Sequence, residues 1–140
     1  MRTFIDTNVL LDVLASRDPF YDDSAIVWSL AEEGSIEGQV SAVSFKDIFY
    51  LVRKWADTDA AREALVLVRD AFTPVACDAL VINQAIDSGL ADFEDAIQYF
   101  SAIHAEADCI VTRNPDDFPA ESVVPVLRPD EFLAEFQQTR

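Results

Sequence analysis

The sequence predicts an α/β protein in which a mostly parallel sheet carries helices on both faces. Three observations lead there. Short runs of β-branched and aromatic residues alternate with longer segments of helical periodicity, the pattern of successive βαβ units. The first helical segment is apolar on nearly every side and must therefore be buried, which places it at the middle of the molecule. The chain has 140 residues, 51% of them hydrophobic, enough for a core of its own, so one domain over residues 1–140 is expected.

The elements follow in order. Thr3, Phe4 and Ile5 read as the first strand, and Asp6 stands where it ends. Thr7 and Asn8 can cap the helix Val9 to Ser16, whose one charged residue is Asp12. Asp18-Pro19 breaks the pattern. A second helix is expected from Asp22 to Glu33, ended by Gly34, with Ala25, Ile26, Trp28 and Leu30 facing inward. Gln39 and Val40 offer a short second strand. A third helix begins near Ser44, because Phe45, Ile48, Phe49, Val52 and Trp55 fall on one helical stripe. Thr58 to Ala71 reads as a fourth helix capped by Thr58 or Asp59. Phe72 to Ala76 is a strand that Pro74 assigns to an edge. Asp78 caps a helix ending at Gly89. Phe93, Ala96, Ile97, Phe100, Ile103 and Ala107 form the stripe of the next helix, with Asp92 as its N-cap. Cys109-Ile110-Val111 is a buried strand running into Thr112, Arg113 and Asn114. Val123 to Leu127 is the last strand, and a terminal helix runs from Arg128-Pro129-Asp130 through Gln138 with Phe132, Leu133 and Phe136 inward.

Composition excludes several classes. No apolar run reaches the ~18 residues a spanning helix needs, and no basic segment precedes an apolar one at the N-terminus. A soluble, cytoplasmic protein without a membrane partner is expected. Cys77 and Cys109 lie in or beside apolar runs and read as free buried thiols, since cytosolic disulfides are rare. His104, the only histidine, follows Asp95 by nine residues and so falls on the opposite helical face, which makes it a surface or packing residue. With 26 acidic and 10 basic residues the net charge is −16, which argues against non-specific nucleic-acid binding. It leaves a nucleic-acid substrate open, because screening at about 8 Å makes the local field decisive.

The chemistry-bearing residues are acidic and amide side chains at predicted strand ends and helix starts. Asp6 has two readings: it finishes a strand and helps to cap a helix, or it is a carboxylate presented at the carboxyl edge of a parallel sheet, where ligands bind. Asp47 completes a Ser-x-x-Asp capping box with Ser44, or faces the same cleft as Asp6. Asp92 caps the helix, or supports the site beside Asp95 as an orienting or substrate-binding residue. Asp95, on the same first turn, is not needed for capping. Asn114-Pro115 is an ordinary turn start, or brings Asn114 and Asp117 to the same sheet edge. Converging carboxylates and amides without Cys or His suit a hard cation, Mg²⁺ or Mn²⁺, which activates water against a phosphodiester.

Phe4-Ile5-Asp6-Thr7-Asn8, the acid Asp47 early in a helix, Asp92-Phe93-Glu94-Asp95-Ala96 and Val111-Thr112-Arg113-Asn114 with Asp117-Phe118 occur in one order over nearly the whole chain. In this the sequence resembles the PIN-domain ribonucleases of the VapC toxin type. The resemblance implies a three-layer α/β/α sandwich, Mg²⁺-dependent RNA cleavage, a homodimer and neutralisation by a cognate antitoxin. It implies Asp6, Asp47, Asp95 and Asp117 as the catalytic acids, Asp6 and Asp95 as direct metal ligands, and Asp117 or Asn114 in the fourth position. Thr7, Asn8 and Thr112 would orient carboxylates or water, and Arg113 would meet a phosphate. The chain departs from the family at Asp47, where Glu is usual, and at Asn114, where many members have Asp. Two other readings compete. One is an aspartate-nucleophile phosphotransferase built on Asp6, for which a late-strand lysine is missing: Lys46 and Lys54 are the only two lysines. The other is a non-catalytic module that keeps the fold and binds only protein or RNA.

Overall fold

A computed structural model describes residues 1–139, so Arg140, the last residue of the expected domain, lies outside the described residues. Five strands, β1 (Arg2–Ile5), β2 (Glu37–Ser41), β3 (Thr73–Val75), β4 (Cys109–Val111) and β5 (Val126–Leu127), form one sheet in the order β3-β2-β1-β4-β5. Every pairing is parallel. Pro74 does sit on an edge strand, where its missing N–H costs no ladder bond. The last strand is shorter than the expected Val123 to Leu127.

Among the described residues seven α-helices flank the sheet: α1 (Thr7–Leu14), α2 (Tyr21–Glu32), α3 (Ala42–Trp55), α4 (Thr58–Ala71), α5 (Ala79–Asp87), α6 (Phe93–His104) and α7 (Pro129–Thr139). Alternation of side chains along the strands divides them into two layers. Ile5, Val40, Cys109 and Val111 point into the larger core with Val9, Leu10, Val27, Ile48, Val68 and Phe132, which covers one face with α1 to α4 and α7. Phe4 and Ile110 point the other way, against Tyr99 and Ala102 of α6 and against Phe118. The result is a three-layer α/β/α sandwich.

Several local expectations change. Helix α1 starts at Thr7 with Asp6 in the N-cap position, so Thr7 and Asn8 are its first two residues and their side chains are free for other partners. Helix α3 starts at Ala42, capped by the Ser41 hydroxyl, which accepts from Val43 N–H. The expected Ser44–Asp47 capping box does not form, because Ser44 already lies inside the helix. Trp55, expected on the inward stripe, is 43% exposed. Asp57, one residue before the expected cap, caps α4 by accepting from Ala60 N–H at 2.7 Å. Asp78 and Asp92 cap α5 and α6 as expected. In α2 the buried side is Ser24, Val27, Trp28, Leu30 and Ala31, while Ile26 faces solvent. In α6 it is Ala96, Gln98, Tyr99, Ser101 and Ala102, while Phe93 is 46% exposed. His104 is exposed and pairs with Gln84 at 2.6 Å. Both cysteines are free thiols; Cys109 is buried and Cys77 only partly so. No helix among the described residues is long and apolar enough to cross a membrane.

Candidate active site

The strand order fixes where a site can lie. From β1 the chain steps outward to β2 and β3, then crosses back to place β4 on the other side of β1. The carboxyl ends of β1 and β4 therefore flank the point where the winding reverses, the usual position of a crevice in such a sheet. Register puts Ile5 opposite Val111, so the next residues, Asp6 and Thr112, stand side by side at that edge. Asp6 N–H donates to Val111 O at 2.9 Å, which extends the ladder by one bond and pins the Asp6 backbone.

The side chains follow from this. Asp6 is buried. Thr112, fully buried, donates its hydroxyl to Asp6 Oδ2 at 2.8 Å and accepts from Asn114 N–H at 3.2 Å and from Asn8 Nδ2 at 3.5 Å. Asn8 Oδ1 accepts from Arg113 N–H at 3.3 Å. One oxygen of Asp6 is thus held in place while the loop after β4 is tied to the first turn of α1. Thr7 Oγ1 lies 2.7 Å from Ser44 Oγ, which also accepts from Gln98 Nε2 at 3.4 Å. These bonds join α1, α3 and α6 beside the Asp6 carboxylate.

In front of it opens a cleft of about 680 Å³, lined by Asp6, Thr7, Asn8, Asp47, Glu94, Asp95, Gln98 and the basic side chains Arg17, Lys46 and Arg113, among others. Burial pushes Asp6 up to about 6, opposed by the Thr112 hydroxyl and the Arg113 charge. Burial also pushes Asp95 up, to about 7, and the Asp6, Asp92, Asp117 and Glu94 charges add to it. The two carboxyls thus belong to one electrostatic unit.

The other expected acids stand differently. Asp47 is on the cleft wall, but its Oδ1 pairs with Lys46 Nζ at 3.2 Å. Asp117 is exposed on a 3-10 turn, Pro115–Asp117, outside the cleft lining, and acts on Asp6 and Asp95 through its field. Asp92 is outside the lining as well, its Oδ1 accepting from Asp95 N–H at 3.0 Å. Asn114 is exposed and joins the site through its backbone. Among the described residues no three His, Cys, Asp or Glu side chains gather closely enough to hold an ion by themselves.

Sequence reasoning passed over Asp12 and Arg17. Asp12 is 1% exposed, and its Oδ1 stands 3.4 Å from Arg113 Nη1 and 3.8 Å from Arg17 Nη1. The signal was available: a carboxylate on a helix that is otherwise apolar all round must be buried and must find cations.

A family model described as PIN domain matches residues 2–116. The chain belongs to the PIN-domain family. No curated protein matches the sequence. Solved structures share the PIN fold at low identity. The DNA-bound VapBC of Salmonella typhimurium matches with a TM-score of 0.70 at 12% identity, over 92% of this chain and 98% of that one. A toxin–antitoxin complex of Klebsiella pneumoniae matches at 0.66 and 18%, over 91% and 97%. Mycobacterium tuberculosis VapC20, a sarcin–ricin loop cleaving toxin, matches at 0.63 and 14%, over 77% and 86%. In this PIN domain the strand ends that meet at the sheet's reversal point carry Asp6 and its hydroxyl partner Thr112.

Proposed function

We propose that this PIN domain is a Mg²⁺- or Mn²⁺-dependent endoribonuclease that acts as the toxin of a toxin–antitoxin pair. The observation that carries the reading is the meeting of Asp6 and Asp95 in one cleft, each raised well above the ordinary carboxylate range. Two desolvated, mutually repelling carboxyls are stabilised in their charged form by a cation between them. Their oxygen-only chemistry suits a hard ion. Mg²⁺ keeps several of its waters and needs only one or two protein carboxylates, so a pair is a sufficient donor set.

When bound, such a cation polarises a phosphate oxygen and lowers the pKa of a water. The protein's own residues supply the rest. Thr112 orients Asp6 by holding Oδ2. Asn8 and Thr7 hold the loop after β4 and the start of α3 around it. Arg113, on the cleft wall, presents a planar guanidinium to a phosphate of the RNA strand. Asp47 and Asp117 act on this reading through charge rather than direct contact. The toxin–antitoxin complexes among the similar structures support a cognate antitoxin as partner. A homodimer in its absence is the expected free state, to be read by light scattering.

The test is cleavage of a pool of structured RNAs with Mg²⁺ or Mn²⁺ against EDTA, for the wild type and Asp95→Asn. Cutting that needs the cation and falls at least about a hundredfold in the variant supports the reading, in line with the loss of one preorganised charge at a reacting centre. Cutting that persists in EDTA, or in Asp95→Asn, overturns it. No cutting and no cation-induced rise in melting temperature would favour a non-catalytic binding module.

A further inference from the structure

We infer that Asp12, Arg17 and Arg113 form a phosphate-binding subsite beside the Asp6–Asp95 centre, in which the Arg17 and Arg113 guanidiniums grip an RNA phosphate flanking the one cleaved and Asp12 is their positioning residue. The inference deepens the nuclease reading and rests on it for the identity of the polymer.

Four features converge. Arg17 and Arg113 come from separate segments, the loop after α1 and the loop after β4, yet both line the same cleft as Asp6. One buried carboxylate lies between them, on the core side, at 3.4 and 3.8 Å from their Nη1 atoms. Each guanidinium also lies over an aromatic ring: Arg113 at 4.5 Å from the Phe20 centroid and Arg17 at 4.8 Å from that of Trp55. The rings and Asp12 fix two long side chains that would otherwise lose much rotamer freedom on binding. Finally, two guanidiniums share one carboxylate, so the trio carries net positive charge, and Asp12 Oδ1 makes no hydrogen bond that would use up their donors. Forked donors left over at the wall of a cleft suit a tetrahedral anion held bidentately.

The surroundings give direction. Lys46 is on the same cleft, but Asp47 pairs with it. The other acids of the lining, Asp6, Glu94 and Asp95, repel a bare phosphate. An RNA strand whose scissile group lies at Asp6 and Asp95 therefore finds its nearest cationic seat for the neighbouring phosphate at Arg17 and Arg113.

The experiment measures binding of an end-labelled, unstructured oligoribonucleotide by anisotropy in EDTA over a range of salt, and cleavage of the same oligonucleotide and of a dinucleotide in Mg²⁺. Arg17→Gln and Arg113→Gln each weaken oligonucleotide binding by about tenfold, the worth of one charge-assisted contact. Each lowers the salt slope by about 0.7, one phosphate contact on a single strand. KM for the oligonucleotide rises by more than kcat falls in both variants, and Arg17→Gln cuts the dinucleotide, which has no flanking phosphate, as before. Asp12→Asn gives the same pattern in folded protein, verified by its melting curve, and Arg113→Lys does not restore the wild-type KM. Wild-type cleavage with unchanged salt slope and KM in both arginine variants overturns the subsite and leaves the nuclease standing. Salt slopes that fall in a protein that cuts nothing sustain the subsite and overturn the nuclease. A wild type that neither binds nor cuts overturns both.

Discussion

Replacing Asp6 by asparagine should stabilise this protein in the absence of divalent cations, and by an amount that depends on pH. Burial is the main reason that Asp6 is held at about 6 rather than 3.8. A carboxyl displaced that far costs about 3 kcal/mol in its charged form. The folded state binds the proton more tightly than the unfolded one. The cost is therefore absent below about pH 4, where both states are protonated. It grows as pH rises through the interval between 3.8 and about 6, where only the unfolded chain has ionised, and is complete above it. The asparagine side chain cannot ionise, and its amide oxygen can accept the Thr112 hydroxyl that now serves Oδ2 at 2.8 Å. Losing the Asp6 charge also lets Asp95 ionise more easily, which acts in the same direction. Against a total stability of roughly 5–15 kcal/mol this is a large effect, equivalent to roughly 10 °C in Tm for a domain of this size. The assay is a set of thermal melts of wild type and Asp6→Asn in EDTA from pH 4 to pH 8. The two curves should coincide at the acid end and separate to their full difference by neutrality. The general self-repulsion of an acidic protein is common to both and cancels. Added Mg²⁺ should then raise the wild type and leave the variant where it was. A gap independent of pH, or a variant less stable throughout, would refute the argument that burial of the Asp6 charge dominates this site.

Two further outcomes follow from the geometry. Asp92→Asn keeps a good N-cap on α6, so the melting temperature should hold to within the ~0.5 kcal/mol of a lost helix-terminus charge; because Asp92 is among the charges that raise Asp95, the acid limb of the cleavage–pH profile should move to lower pH, measured as initial rate against pH. Gly38→Ala should destabilise by about 1–3 kcal/mol in chemical denaturation, because a Cβ there would meet Phe72 Cδ1 at 2.6 Å and Ala31 Cβ at 3.0 Å in a packed core; cleavage per folded molecule should be unchanged, since Gly38 lies at the opposite end of β2 from the cleft.

What the sequence made legible is what local chemistry decides. Alternating strand and helix patterns gave the parallel sheet, Pro74 gave its edge, and Asp78 and Asp92 gave two helix starts, because each depends on a few neighbouring residues. What it hid depends on tertiary partners. The acid at position 47 points to Ser44 as the cap of α3 by pattern, whereas Ser41 caps it. The decision is made by β2, which pairs up to Ser41 against Val75 and leaves that hydroxyl where Val43 N–H can reach it. Ser44 then turns inward to Thr7 and Gln98, contacts that lie 37 and 54 residues away in sequence. The inward face of α6 was misjudged for a related reason. Small residues, Ala96 and Ala102, let that helix approach the sheet, so the larger Phe93 is left outside. Asp6 and Asp95 could be named from their positions at a strand end and a helix start, but not the coupling between their charges, which needs the crossover from β3 to β4 that brings them together.

That crossover also reconciles a charge of −16 with the proposed RNA substrate. Among the ten basic residues, Arg2, Arg69 and Arg128 are exposed and paired with acidic neighbours, so their fields are largely cancelled at the surface. Arg17 and Arg113 share one buried carboxylate at the cleft instead, with net positive charge between them. Arg113 arrives from the loop that follows β4 at the carboxyl edge of the sheet, and Arg17 from the loop after α1. Beyond about a Debye length the chain repels a phosphate backbone, and within it the proposed function gives the cleft separate places for cation and phosphate. On the proposed function, such an arrangement would suppress indiscriminate RNA binding and reserve attraction for a strand already seated in the cleft. The acidity of the surface is then part of how the site selects, rather than evidence against the polymer it would cut.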